Sequence, residues 1–337
     1  MRADFLHELI CPTCRFETLV LANVDGVSNI DWIETDVLLC TNCNSWYPIV
    51  SGIPILLAEV DLYREIRDKY YNDYAAYLDL HPDKSGAVST DADKKQVEHY
   101  SKDAEVYDDL VTNNTFWRAF DWNTVRGWFE EIRSEHVTLD LGCGTGHCTI
   151  PLAQKKRKVV SFDLSLSMVL KARNKCIELQ LEDMPDFFVG NACNIPLKPQ
   201  IFHNVIAFGV LHHVHDPLKT IQESARILKA GGAFYGLENN ASFFRPVFDF
   251  VMRWKTLWNE EAGSHPCLHK CDIQQWAAMA GMISTIKTST FLLPHFFNFF
   301  SLAHAKTILA ASDRFFCRAP ILKDQGGLLL LKLTKEC

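Results

Sequence analysis

The 337-residue chain has no run of 18 apolar residues, so a membrane-spanning helix is not expected. Its first eight residues, Met1-Arg2-Ala3-Asp4-Phe5-Leu6-His7-Glu8, lack the charged, apolar and small-residue zones of a secretion signal. Without export, disulfides are not expected either. Sixteen glycines and thirteen prolines are too few for a collagenous or low-complexity chain. No internal repeat is evident. Positive charge is also scarce: 34 Lys+Arg stand against 41 Asp+Glu, a net of −7. Residues 1–60 hold only two basic side chains, Arg2 and Arg15, against eight acidic ones. Phosphate neutralisation supplies most non-specific nucleic-acid affinity, so an acidic module of this kind disfavours nucleic acid as a partner. What remains is 48% hydrophobic, enough for one large core or two. The composition predicts a soluble, cytoplasmic protein in two parts.

Four of the twelve cysteines form two close pairs, Cys11-Pro12-Thr13-Cys14 and Cys40-Thr41-Asn42-Cys43, with 25 residues between them. Two residues between thiolates let both sulfurs face one ion from a tight turn. Two such turns supply the tetrahedral shell that zinc prefers, so Cys11, Cys14, Cys40 and Cys43 are the predicted ligands of a structural Zn2+. A redox pair would instead sit at a helix start inside a βαβ unit, which the flanking sequence does not offer. After the second pair comes Trp46-Tyr47-Pro48-Ile49-Val50-Ser51-Gly52-Ile53-Pro54-Ile55-Leu56-Leu57. With Leu9-Ile10-Cys11-Pro12-x-Cys14, this segment resembles the Trm-type methyltransferase-activator zinc ribbons, whose members act as activating partners of methyltransferases. The resemblance covers residues 1–60. A helix is expected over 61–80, where Leu62, Ile66, Tyr70, Tyr74 and Tyr77 recur at helical spacing, and a polar linker follows, so that 61–93 joins two domains.

A short apolar strand, Val137-Thr138-Leu139-Asp140-Leu141, runs into Gly142-Cys143-Gly144-Thr145-Gly146. The third glycine of a dinucleotide Gly-x-Gly-x-x-Gly would fall at His147, so that fingerprint is not met. A second strand ends in Asp163, 21 residues beyond Gly142, where an acid can accept both ribose hydroxyls. Asp-x-Gly-x-Gly-x-Gly followed by that acid resembles motif I of the class I S-adenosylmethionine-dependent methyltransferases. Gly190-Asn191-Ala192, the strand Phe202 to Gly209, and Glu223-x-x-Arg226-x-Leu228-Lys229-Ala230-Gly231-Gly232 continue the likeness. The family is methyltransferase type 11, UbiE-like. It implies an α/β, Rossmann-like, seven-stranded sheet over residues 94–337, with a lid insertion at 239–264.

Carried over residue by residue, the resemblance implies that Gly142, Gly144 and Gly146 wrap the methionine part of S-adenosyl-L-methionine. Asp140 would orient the loop and the amino group, Asp163 hold the ribose, and Leu164, Asn191 and Ala192 meet the adenine, with Phe208 also among the cofactor-binding residues. Tyr100 or Tyr107 is expected to close over it. His212 and His213 follow the fourth strand at the sheet's carboxyl edge, where an imidazole could take a proton from the acceptor; Glu238 is a weaker candidate. The aromatic insertion and the stretch Thr288 to Ala305 are read as core, acceptor wall, membrane contact or a homodimer seam. His269 matches a histidine that similar methyltransferases carry before a helix ending in Ala-Gly. His265-Pro266-Cys267-Leu268-His269-Lys270-Cys271 lacks a usual metal spacing.

The expected activity is methyl transfer, by in-line displacement, to the oxygen or nitrogen of a small or lipid-linked, partly apolar acceptor. An RNA methyltransferase with an N-terminal zinc finger is the alternative, and a cofactor-binding partner without turnover a third. Asn-Pro-Pro-Tyr, with which many amino-group methyltransferases grip a planar nitrogen, is absent, which disfavours methylation of a base or glutamine amide nitrogen.

Overall fold

The computed structural model describes residues 1–24, 32–78, 80, 87–103, 108, 114–243, 245–246, 250 and 267–336. Eleven strands among them form one sheet. The first four belong to the cysteine-bearing segment: β1 (Leu19–Leu21), β2 (Asp36–Cys40), β3 (Trp46–Val50) and β4 (Ile53–Leu56), an antiparallel meander. The remaining seven are β5 (Val137–Leu141), β6 (Lys158–Asp163), β7 (Asp186–Gly190), β8 (Phe202–Phe208), β9 (Leu228–Asn239), β10 (Met282–Ser289) and β11 (Leu328–Lys335). Their spatial order is β7-β6-β5-β8-β9-β11-β10, with β11 antiparallel to both neighbours. These seven give the Rossmann-like methyltransferase sheet that the sequence implied.

The sheet does not end there. β4 adds to β7 in parallel, Ile55 opposite Val189 and Leu56 opposite Gly190, so the meander extends the seven strands to eleven. An unpaired strand edge exposes a row of amide donors and carbonyl acceptors, and a second extended segment satisfies them. β7 is buried throughout and apolar after Asp186, and β4 is apolar and buried along its length, because strands covered on both faces need no polar alternation.

Helices cover both faces. In chain order they are α1 (Arg64–Leu78), α2 (Asp91–Asp103), α3 (Thr115–Phe120), α4 (Arg126–Glu131), α5 (Thr149–Gln154), α6 (Leu166–Glu178), α7 (Pro217–Ile227), α8 (Lys270–Met279), α9 (Pro294–Phe297) and α10 (Leu302–Phe316). Local chemistry explains where several begin. Asp216 caps α7, its carboxylate accepting from the Lys219 amide at 2.9 Å, and Pro217 supplies the first turn's fixed φ. Thr90 and Asp93 cap α2 reciprocally: each side chain accepts from the other's backbone N–H, at 3.1 and 3.0 Å.

The two parts of the chain share one core. Phe5, Leu9 and Leu38 of the first part pack in the same buried cluster as Phe162, Phe188 and Leu197 of the second, and the Phe5 and Phe188 rings lie 6.2 Å apart. Both basic side chains of residues 1–60 cross the junction. Arg2 donates to Asp186 at 3.0 Å, and Arg15 donates to Glu223 at 2.9 Å and Asn194 at 2.7 Å. In the other direction Arg173 donates to Glu34 at 2.6 Å. Asp186 and Glu223 are both buried, so each needs such a partner.

Candidate functional site

The four predicted thiolates come together. Their sulfurs all lie within 4.8 Å of one another, with Cys11–Cys43 and Cys14–Cys40 each at 3.6 Å. A tetrahedron of sulfurs about 2.3 Å from a zinc ion has edges near 3.8 Å, so the donor set fits that metal. The local turns explain how. Arg15 and Asn44, each just past a cysteine pair, take φ of 64° and 59°, and their amides donate back to the carbonyls of Cys11 and Cys40 at 2.8 and 3.0 Å. Asn42 Nδ2 donates to the Cys14 sulfur at 3.5 Å, the kind of outer contact that orients a metal ligand. Among the described residues this is the only cluster with such geometry, and Cys267, His269 and Cys271 form none.

The second site is a cleft of about 830 Å³ at the carboxyl ends of β5 to β8. Gly142, Gly144, Asp163, Leu164, Asn191, Ala192, Phe208, Tyr100 and His213 all line it. Gly144 has φ +51°, and a Cβ there would meet nothing within 4 Å, so it would project into space that a ligand needs. A Cβ on Gly142, at φ +68°, would come within 2.6 Å of Val210. Asp163 is fixed by the amides of Gly144 and Ser165, both at 2.9 Å, while its oxygens keep further lone pairs for hydroxyl donors. Burial raises its pKa against those two donors. A cradle of bare glycine backbone beside a fixed carboxylate suits a nucleoside with a charged tail, as S-adenosylmethionine is.

Other predicted residues lie elsewhere. Asp140 is buried and is not part of the cleft wall; its carboxylate accepts from the Thr149 hydroxyl at 2.5 Å, tying β5 to α5 beneath the glycine loop. Burial pushes its pKa up to about 6, opposed chiefly by that hydroxyl. Gly146 sits behind the wall at φ +94°, against Ile150 and Ala172. Asn191 does line the cleft, but its amide is engaged at both ends: Oδ1 accepts from the Cys193 amide and Nδ2 donates to Glu59, each at 2.9 Å. Tyr107 lies outside the described residues, as do 244, 247–249 and 251–264 of the expected lid.

The two histidines have different settings. His212 Nδ1 meets Glu238 at 2.6 Å, and Glu238 also accepts from the amides of Val210 (3.0 Å), Leu211 (2.7 Å) and His212 (3.3 Å). Glu238 is therefore the anchor of the loop after β8. His213 faces the cleft, its Nδ1 3.2 Å from Gln96 and its Nε2 3.1 Å from the Tyr100 hydroxyl, with the Tyr100 ring edge-on at 5.7 Å. These contacts latch α2 over the cleft.

Several contributors escaped sequence reading. Asp93 and Gln96 of α2 line the wall. Tyr63 donates to the Leu164 carbonyl at 2.7 Å and accepts from the Leu166 amide at 2.8 Å, bracing the segment after Asp163. The capping pattern Thr90-x-x-Asp93 was the one available signal for α2's start; nothing local marks Tyr63.

Comparison with known proteins agrees with this geometry. The methyltransferase domain family matches residues 139–236. A demethylmenaquinone methyltransferase of Symbiobacterium thermophilum is 30% identical over 170 residues, 47% of this chain and 65% of that protein. The chain thus spans just under two thirds of that relative. A demethylmenaquinone methyltransferase of a Geobacillus strain is 30% identical over 169 residues, 48% of this chain and 71% of the relative. The methyltransferase YcgJ of Bacillus subtilis is 27% identical over 180 residues, 53% of this chain and 67% of that protein. The crystal structure of YcgJ aligns with a TM-score of 0.45 at 18% identity, covering 63% of this chain and 98% of that one. Glycine loop, the acid ending β6, strand order and relatives agree: the chain belongs to the class I S-adenosylmethionine-dependent methyltransferases.

Proposed function

We propose that the protein methylates a lipid-linked acceptor carrying a hydroxylated ring of the quinol type. The cleft carries the methyl-transfer part of this reading: a cofactor-shaped cradle with an imidazole, His213, in its wall at the carboxyl edge of the sheet. The acceptor class is supported by the relatives named demethylmenaquinone methyltransferases. S-adenosylmethionine supplies an electrophilic methyl group on a sulfonium. Gly142, Gly144 and Asp163 hold it, and Leu164 and Ala192 pack on its base. His213 accepts the acceptor's hydroxyl proton at Nε2, where that hydroxyl takes the place of Tyr100's, which turns a weak nucleophile into a phenolate-like one at neutral pH. Gln96 at Nδ1 sets the ring's orientation, and His212 with Glu238 holds the loop that carries it. The four cysteines hold a structural zinc ion.

Purified protein with methyl-labelled S-adenosylmethionine, tested on a reduced naphthoquinone and on a fractionated cell extract, checks the reading. Label is expected in the organic-soluble fraction and in the quinol. Nuclease-sensitive label in RNA would overturn it.

A further inference from the structure

A second cavity, of about 820 Å³, lies on the same edge of the sheet as the cofactor cleft. Asn239 at the end of β9, Leu328 at the start of β11 and Thr290 just past β10 form part of its wall. The two hollows are neighbours across an aromatic pair. Phe208 lines the cofactor cleft, Trp117 lines the second cavity, and their ring centroids are 6.2 Å apart. The rest of the lining is largely apolar, with Phe116, Phe291, Leu292 and Leu293 prominent.

This hollow is built rather than left over. Its frame is held by polar contacts that have no part in the cofactor cleft. Asn240, itself buried, donates through Nδ2 to the carbonyls of Gly326 (2.6 Å) and Asp324 (3.1 Å). Gln325 accepts from the Phe243 amide at 2.8 Å. Asp313 of α10 accepts from the Thr290 amide at 3.0 Å and from the Ser289 hydroxyl. Thr290 is at φ 68°, a conformation this residue adopts only when its surroundings impose it. Three chain segments distant in sequence are thereby fixed around this largely apolar hollow.

We infer that this second cavity binds the apolar portion of the acceptor, a prenyl-like chain, with the Phe208–Trp117 pair marking the crossing to the cofactor cleft. The inference rests on the acceptor class proposed above. The ring stays on the cofactor side of the pair, against Phe208, and the chain runs past Trp117 over Phe116, Phe291 and Leu292. A methylated product leaves by losing the same contacts.

Ser242 and Leu292 line opposite stretches of sequence around the hollow, and both are only partly buried, so Ser242→Trp and Leu292→Trp fill it from its margin. Calorimetry on the full chain, saturated with S-adenosylhomocysteine, would compare 1,4-naphthoquinone with a 2-geranyl derivative. The geranyl probe is expected to bind wild-type protein at least about tenfold more tightly than the bare ring, and each variant to lose that advantage. Unchanged S-adenosylhomocysteine affinity shows that each variant is folded. A tail preference that survives in both variants, or none in the wild type, overturns the assignment. Methyl transfer to the untailed quinol is read separately. Transfer without tail preference would leave the proposed reaction standing and remove the cavity's role. Cavity-dependent tail binding without any transfer would do the reverse.

Discussion

Replacing Asp140 with asparagine should stabilise the protein at neutral pH and leave it nearly unchanged in acid. Asp140 is 2% exposed, and its strongest contact is with the neutral Thr149 hydroxyl, which also bonds Ser161 at 2.8 Å. Burial raises its pKa from 3.8 to about 6. Because the folded value is the higher one, the unfolded chain releases this proton first as pH rises. Folded stability is therefore lost between pH 3.8 and about 6 and stays at the lower level above that window. Two pKa units correspond to at most about 3 kcal/mol, with the Thr149 bond already counted in the shift; an amide that fits the site less well than the protonated acid leaves about 1–2 kcal/mol for the asparagine variant at pH 7. Urea unfolding of the cofactor-free protein and the variant, from pH 4 to pH 8, isolates the effect. Other carboxylates cancel in the difference between the two proteins. A difference that does not vary with pH, or that grows toward acid, would refute the reasoning, since it would mean that Asp140 is not stressed by ionisation.

Metal analysis should find about one zinc per chain, and Cys40→Ser should lower both the metal content and the thermal midpoint, because the metal's binding energy is folding energy for this segment. A zinc-free, equally stable wild-type protein would remove the ribbon assignment. Asp163→Ala should weaken S-adenosylhomocysteine binding by about 3 kcal/mol, roughly a hundredfold, as two hydroxyl–carboxylate bonds are lost; unchanged affinity in calorimetry would contradict the ribose role. His213→Ala should slow turnover roughly a hundredfold while leaving cofactor affinity within a few-fold, the pattern of a lost proton acceptor. Equal losses in both would make His213 a structural latch for α2.

Legibility followed sequence distance. The glycine loop, Asp163 and the cysteine pairs were readable because a strand, a turn and a spacing of two residues are local properties. The Asp216–Pro217 start of α7 was readable for the same reason, since a cap involves residues only three apart. The pairing of Ile55–Leu56 with Val189–Gly190 was not: both segments read as short apolar strands, and nothing in either names its neighbour. Glu59 reaching Asn191, and Gln96 and Tyr100 reaching His213, join residues more than a hundred apart. Nothing beside Asp140 shows that Thr149, nine residues on, takes its carboxylate. The second cavity was hidden because its lining is scattered over residues 116 to 328, with no run that carries a motif.

The strand that β4 lends to β7 ends beside the cofactor cleft, and Glu59, three residues later, holds Asn191 in the cleft's wall. A module that reached this edge as a separate chain would obey mass action: dilution would strip it away, and the fraction of complete sites would follow its abundance. Here the tether fixes stoichiometry at one to one, and the local concentration of the edge-capping strand is independent of how much protein the solution holds. Specific activity should accordingly stay constant on dilution into the nanomolar range. Loss of the ribbon's contribution can come only from within the molecule, through a local event such as metal release, and would follow first-order kinetics.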